Sequence, residues 1–574
     1  MLTRITRRLS LCLLLGLSVL LTACSSTQDS GGKAAVATAN PLATQAAFRI
    51  LDRGGNAFDA AITAAATLGV VEPYGSGLGG GGFWLLQKSN GETVFIDARE
   101  KAPLAATSTM YLDAQGKVIP GASINGPLAA GIPGQAAAFD HIAQHYGRLP
   151  LSATLEDAIQ LASDGFRVYR KYLDMVHFRM DELKKHSEST AVFLENQSLP
   201  TRGFIVRQPA LANTLKLLAA KGRAGFYEGT IAEHLVHEVR SAGGIWQLED
   251  LLQYQVKERP AIQFRYQNAS ITSAPPPSSG GIALAQMLGI LNYMDTSDFS
   301  AAQTVMARVA AMDVAYRNRA AYLGDPDFVQ VPVEDIINPN YLALLAKSIE
   351  DNVRNTDDIA DWSKWEEPVI NTQGEPDANE QHHTTHISII DKYGNRASVT
   401  LSINLPFGSG FVSPSTGVLL NNEMDDFSIK PGQPNQYGLT GNEQNEIAPG
   451  KRPLSSMTPT LVETDDMIAS LGTPGGSRII TMVMQGVLGL VGGMDPEQVV
   501  AMPRYHYQYQ PDYIQYEKGA LSSEVIASLR RLGHAFVELD HTYGNMQISV
   551  LNKKTGEVKA ASDRRGVGQA IVRN

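Results

Sequence analysis

The chain predicts an α+β protein, on three observations. Apolar residues between positions 41 and 69 recur at helical spacing: Ala47, Ile50 and Leu51, then, after a Gly54-Gly55-Asn56 break, Phe58, Ala61, Ile62 and Ala65. The stretch 384–405 alternates polar and apolar residues around the turn cluster Asp391-Lys392-Tyr393-Gly394-Asn395, the pattern of a β-hairpin. Beyond position 450, strand and helix patterns alternate to the end. At 574 residues, 43% hydrophobic and 18% charged, the chain has room for two domains or one large layered one. A net charge of −10, with no basic stripe carrying interleaved aromatics, argues against a nucleic-acid surface.

The N-terminus reads as a targeting segment. Arg4, Arg7 and Arg8 form a positive region, Leu9 to Leu21 a short apolar one, and Leu21-Thr22-Ala23-Cys24 resembles a bacterial lipobox. Residues 1–23 are therefore expected as a lipoprotein signal peptide, Cys24 as the lipidated mature N-terminus, and 24–40 as a small, polar tether. An ordinary secretory cut after Ala23, or an uncleaved anchor, is the alternative. Ser25 in place of Asp after the cysteine is the pattern of lipoproteins sorted to the outer membrane, so the expected location is periplasmic and lipid-anchored there. Cys12 and Cys24 are the only cysteines, which excludes a disulfide, a cysteine nucleophile or a Cys-ligated metal in the mature domain. No later apolar run approaches the roughly 20 residues of a membrane span.

After the first helical stretch comes Gly75 to Gly82, and Phe83-Trp84-Leu85-Leu86 and Val94-Phe95-Ile96 read as strands. Gly75-Ser76-Gly77-Leu78-Gly79-Gly80 has the spacing of a dinucleotide fingerprint, but a strand pattern follows where the fingerprint needs a helix. Backbone packed close to another layer is the better reading. The middle, 151–354, reads as mostly helical, with a Pro/Gly-rich loop at 274–281. Residues 365–381 read as a polar exposed approach segment, and Pro431 to Gly450 as a long loop. His382, His383 and His386 point in different directions on an extended segment, so no metal site is expected.

Thr384 stands at the head of the hairpin. If the His383–Thr384 bond breaks, Thr384 gains a free α-amine beside its hydroxyl: a nucleophile and a base on one residue. An α-amine titrates near pH 8, about where such a base is useful. A hairpin centred on Tyr393 sets Thr384 opposite Ser402, with Asn404 further along the same face. That face reads Thr384, His386, Ser388, Ser398, Thr400, Ser402, Asn404; the other reads Ile387, Ile389, Ala397, Val399, Leu401, Ile403. A one-residue slip would turn the nucleophile away.

Several separated motifs resemble, in order, the γ-glutamyltransferase (glutathione hydrolase) family of N-terminal-nucleophile enzymes. They are Asn40-Pro41-Leu42-Ala43-Thr44-Gln45, Val71-Glu72-Pro73, Ala98-Arg99-Glu100-Lys101-Ala102-Pro103, Thr384-Thr385-His386, Leu420-Asn421-Asn422-Glu423-Met424-Asp425-Asp426-Phe427, Arg452-Pro453-Leu454-Ser455-Ser456-Met457 and Gly472-Thr473-Pro474-Gly475-Gly476-Ser477-Arg478. The resemblance runs from about Lys33 nearly to the C-terminus. It implies a four-layer α/β/β/α sandwich and a precursor that cuts itself between His383 and Thr384. The resulting large subunit (41–383) and small subunit (384–574) would stay together as a heterodimer. The implied substrate is glutathione or another γ-glutamyl amide, with water or an amino acid or dipeptide as acceptor, and no cofactor or metal.

The resemblance also implies roles. Thr384 is the nucleophile and Ser402 its hydrogen-bonding partner; Gly475 and Gly476 supply oxyanion-hole N–H groups. Arg99 pairs with the substrate's α-carboxylate in a fork that Lys cannot supply, with Ser455 and Ser456 assisting. Glu423 and Asp426, with Asn404, face the α-ammonium, and Tyr437 lies in a lid-like loop, 431–450. Ser402 stands where many members have threonine, and Glu423 where some bacterial members have glutamine. Two alternatives remain: an acylase of this scaffold acting on glutaryl-type amides, and an uncleaved peptide-binding lipoprotein.

Overall fold

The computed structural model describes residues 33–355 and 384–573. The signal peptide, Cys24, the approach segment and His383 lie outside the described residues. Two antiparallel sheets are stacked face to face. The first runs, edge to edge, Gln569–Arg573, Ala34–Thr38, Thr385–Ile390, Arg396–Ser402, Gly81–Gln87, Thr93–Ala98, Lys257–Arg259. The second runs Val558–Ser562, Gln547–Asn552, Met467–Gly472, Thr460–Glu463, Ala269–Ser273, Ile262–Tyr266. Both sheets draw strands from both sides of position 384.

Helices cover the outer faces. Against the first sheet lie Pro41–Asp52 and Ala57–Val71, the latter started by an Asn56/Asp59 capping box and buried along nearly its whole length. Its alanines let helix and sheet approach closely. Gly280–Tyr293 and Ile479–Val491 lie against the second sheet, with Ala301–Tyr322 packed on the former. Each side has its own apolar core. The architecture is the expected α+β sandwich in four layers, α/β/β/α.

The hairpin register is the expected one: Leu401 faces Thr385 and Arg396 faces Ile390. Its apolar face joins the core under helix 57–71. Its hydroxyl face is the interior of the sandwich, and His386, Ser388, Ser398 and Thr400 on it are fully closed to solvent. There Ser388 Oγ donates to Gln547 O at 3.0 Å, Ser398 Oγ to Leu471 O at 3.1 Å, and Ser549 Oγ to Ser388 O at 2.9 Å. His386 is wedged between the sheets with its ring nitrogens bonded to Thr400 and Ser388 hydroxyls; burial pushes its pKa down to about 3, so it is neutral. Gly472 must be glycine here, since a Cβ would meet the His386 ring at 2.3 Å.

One expectation needs correction and one an addition. The tether expected over 24–40 cannot extend that far, because Ala34–Thr38 is a buried strand between Gln569–Arg573 and Thr385–Ile390. Its small residues resemble a linker in composition but are there because helix 41–52 packs close above. The middle is mostly helical, as expected, and what the expectation lacked is the three short strands within 257–273, too short to stand out by periodicity. The glycine run at 75–80 leads into the strand Gly81–Gln87, as expected, and a Cβ on Gly80 would meet Ser402 O at 2.1 Å. Among the described residues, no helix is long and apolar enough to cross a membrane.

Candidate active site

Thr384 sits immediately before its strand, and its Oγ1 is 3.3 Å from Ser402 Oγ across the hairpin. Ser402 Oγ also accepts the Asn404 N–H at 2.8 Å, which holds its rotamer without the methyl of a threonine. Asn404 has φ +72°, a left-handed conformation that Asn tolerates better than most residues. Its side chain donates to Asn422 O at 2.9 Å, tying the hairpin's exit to the acidic turn 423–426. Asn421 fixes that turn, its Oδ1 accepting the Glu423 and Gly131 N–H groups.

Arg99 reaches the same spot from the end of strand 93–98. Its Nη1 is 2.7 Å from Glu423 Oε2, its Nη2 2.5 Å from Asp426 Oδ2, and its Nε donates to Pro453 O at 3.2 Å. Asp97 accepts the Arg99 N–H and pairs with Arg452 and Arg259. One buried carboxylate thus anchors both the Arg99 turn and the segment carrying Ser455 and Ser456. Ser456 Oγ accepts from Arg319 at 3.4 Å, and Ser455 Oγ accepts the Met457 N–H at 3.1 Å. Tyr437, from the long loop, donates its hydroxyl to Asn404 O at 3.0 Å. Gly476 has φ +57°, and a Cβ there would strike the Tyr437 ring at 2.5 Å, so only glycine fits.

Thr384, Ser402, Asn404, Arg99, Glu423, Asp426, Tyr437, Ser455, Ser456 and Gly476 line one cleft of about 20 Å³, room for about one water. Gly475 lines a second cavity, which Thr384 also borders. All the site residues expected from sequence within the described stretch are therefore neighbours. One detail differs: Arg99 is paired with Glu423 and Asp426 themselves, because buried charges need partners. Burial lifts the Glu423 carboxyl to about 7, with Arg99 opposing and Asp426 assisting. Burial lowers and the surrounding carboxylates raise the Arg99 pKa; the carboxylates prevail, and Arg99 stays charged.

Three residues had no role assigned from sequence. Glu100, fully buried, is 3.6 Å from Arg99 and is pushed well up by burial and by Glu423, making a third acid around one guanidinium. Arg319 is buried behind Ser456 and Ser279. Glu72 accepts from Tyr74 at 2.9 Å and from Thr385 at 3.3 Å, next to Thr384, and burial raises it to about 7. Glu72 and Glu100 lie in the quoted motifs, but an acid's burial is not visible in a string of letters. Arg319, one of three arginines in an alanine-rich helix, carried no signal that set it apart from Arg308 and Arg317.

A family model described as Gamma-glutamyltranspeptidase matches residues 43–573. The glutathione hydrolase proenzyme of Escherichia coli (strain K12) is 40% identical over 93% of this chain and 90% of its own length. The crystal structure of cephalosporin acylase from Bacillus halodurans superposes with a TM-score of 0.78 at 25% identity, covering 94% of this chain and 96% of that one. Helicobacter pylori gamma-glutamyltranspeptidase gives a TM-score of 0.53 at 38% identity, over 55% of this chain and 90% of that one. The motif order, the sandwich and these matches agree: the chain belongs to the gamma-glutamyltranspeptidase family.

Proposed function

We propose that this protein is a self-processed γ-glutamyltransferase and glutathione hydrolase. The observation that carries the reading is the Thr384–Ser402 hydroxyl pair at the head of the hairpin, opening onto the Arg99–Glu423–Asp426 cluster. Thr384 Oγ attacks the γ-carbonyl carbon, and the C–N bond breaks. The hydroxyl proton passes through the freed α-amine to the leaving nitrogen. The γ-glutamyl ester is then taken by water or by an amino acid or dipeptide amine. Gly475 and Gly476 donate N–H groups to the oxyanion. The substrate's carboxylate displaces an acid from Arg99 and its ammonium takes up the acids so released, an exchange that keeps every buried charge partnered. Ser455, Ser456 and Asn404 add hydrogen bonds, and Tyr437 covers the group.

Self-cleavage uses the same hydroxyl on the carbonyl of His383, by an N-to-O acyl shift and hydrolysis. It divides the chain into 41–383 and 384–574, and the interleaved strands of both sheets favour the two pieces staying together as a heterodimer. The basic and apolar N-terminal segment ending at Cys24 supports export, lipidation and a periplasmic place on the outer membrane.

Intact-mass analysis of wild type beside Thr384→Ala tests the mechanism. Two fragments in wild type, the smaller starting at Thr384, and one uncut chain in the variant are expected; one chain in both overturns it. Turnover of γ-glutamyl and glutaryl anilides separates the acylase reading. A glutaryl group has no ammonium for Glu423 and Asp426 to meet, so the γ-glutamyl compound is expected to react at least about a hundredfold faster.

A further inference from the structure

Arg319 holds a buried charge behind the cleft. It stands in the last turns of helix Ala301–Tyr322 and is 5% exposed. Its Nη2 donates to Ser456 Oγ at 3.4 Å, and its Nε to Ser279 Oγ at 3.1 Å. Ser279 Oγ in turn donates to Ser455 O at 2.8 Å, so one guanidinium braces both serines of the cleft. Among the described residues no carboxylate is paired with it, and these hydrogen bonds go to hydroxyls. Arg99 is the contrast, with Glu423 at 2.7 Å, Asp426 at 2.5 Å and Glu100 at 3.6 Å. An over-compensated guanidinium thus lies near an uncompensated one. Burial lowers the Arg319 pKa, with Asp426 opposing, but an arginine keeps its charge in either case. A buried cation without an acid is costly until an anion arrives. A guanidinium can also only donate. Ser456 Oγ therefore accepts from Arg319, and its own hydrogen turns away from the helix, toward the cleft that Ser456 lines.

We propose that Arg319 is a positioning residue that supplies charge to the substrate's α-carboxylate through Ser456, and so makes a free α-carboxylate a condition for use of the donor. The inference rests on the γ-glutamyl reading above and names the cation that makes this end of the cleft attractive to an anion. At Arg99 an arriving carboxylate must displace an acid already bound, so gain and loss largely offset. Arg319 has no acid to give up. Its charge reaches the carboxylate through one hydroxyl, in a cleft with room for about one water, where screening is weak. A carboxamide of the same shape brings no charge to meet it.

The test is turnover of a γ-glutamyl anilide, and of the same anilide with its α-carboxylate converted to a carboxamide, by processed wild type, Arg319→Gln and Arg319→Lys. Wild type should prefer the free carboxylate by about a hundredfold in kcat/KM, as charge-assisted hydrogen bonds allow. Arg319→Gln keeps a hydrogen-bond donor without the charge. It should reduce that preference about tenfold, read in KM for the free acid rather than in kcat. Arg319→Lys keeps the charge and should hold the preference within about threefold of wild type. Equal weakening of both substrates by Arg319→Gln would mark a brace for the serines and nothing more, and overturns the proposal while leaving the γ-glutamyl reading intact. A loss of preference of about tenfold in a folded Arg319→Lys overturns it even where the glutamine variant does not fold. No release of aniline by wild type overturns the γ-glutamyl reading and this inference together.

Discussion

The two faces of the hairpin that begins at Thr384 are equally buried and held by different physics. On one, Ile387, Ile389, Val399 and Leu401 pack under helix 57–71 by apolar contact alone. On the other, Ser388, Ser398, Thr400 and His386 meet the second sheet through hydrogen bonds to its backbone and to each other. A polar face can be an interior when each hydroxyl finds a fixed acceptor. At the open end of that face the file of hydroxyls runs out at Thr384 and Ser402, which face each other at 3.3 Å, Ser402 also accepting the Asn404 N–H. The Thr384–Ser402 pair, proposed as catalytic, continues a structural pattern to the point where it reaches the cleft.

Substitutions should separate the two faces. The largest effect is expected on the apolar face. Ile389→Ala, at a fully buried site, should cost about 2–5 kcal/mol in denaturant unfolding, and a loss below 1 would mean that this face is not the load it looks. Next comes Glu72, the acid bonded to Thr385 at the end of that face. The folded protein holds its proton up to about 7, while the unfolded chain releases it near the ordinary 4.5. Stability therefore falls as pH rises from 4.5 to 7 and stays lower above that. Glu72→Gln should remove this slope and make the protein more stable than wild type at pH 8 by up to about 3 kcal/mol, with no difference at pH 4. Equal melting curves at both pH values would contradict a neutral buried Glu72.

On the hydroxyl face, Ser402→Ala removes the partner of Thr384 and should lower kcat about 10- to 100-fold with little change in fold, read by turnover beside circular dichroism. The smallest effect is expected at Ser398, which accepts the Thr460 N–H at 3.0 Å. Ser398→Ala leaves that N–H and Leu471 O without this partner and should cost about 1–2 kcal/mol of stability. A loss matching that of Ile389→Ala would erase the distinction between the faces.

Much of the candidate site was legible because its residues sit in short runs whose local geometry is simple. Two glycines in a row at 475–476 allow a turn no other residue fits, and an Asn-Asn-Glu run before Asp426 marks an acidic turn held by its own asparagines. The ion pairing of Arg99 with Glu423 and Asp426 was not legible, because it joins residues more than 300 positions apart. Nor was the burial of Glu72 and Glu100, since an acidic letter gives no sign of its surroundings.

By itself the sequence determined the hairpin and its register, because side chains alternate with a period of two and a slip of one would bury the wrong set. It also placed Thr384 and Ser402 opposite each other at one end of the hairpin. Only the tertiary structure decided that the hydroxyl face is an interior and that Ala34–Thr38 is a strand paired on both sides. It alone decided, too, that Thr384 borders both a tight ionic cleft and a roomy cavity. Those outcomes depend on which distant backbone lies opposite each residue, and periodicity along one strand carries no information about its partner.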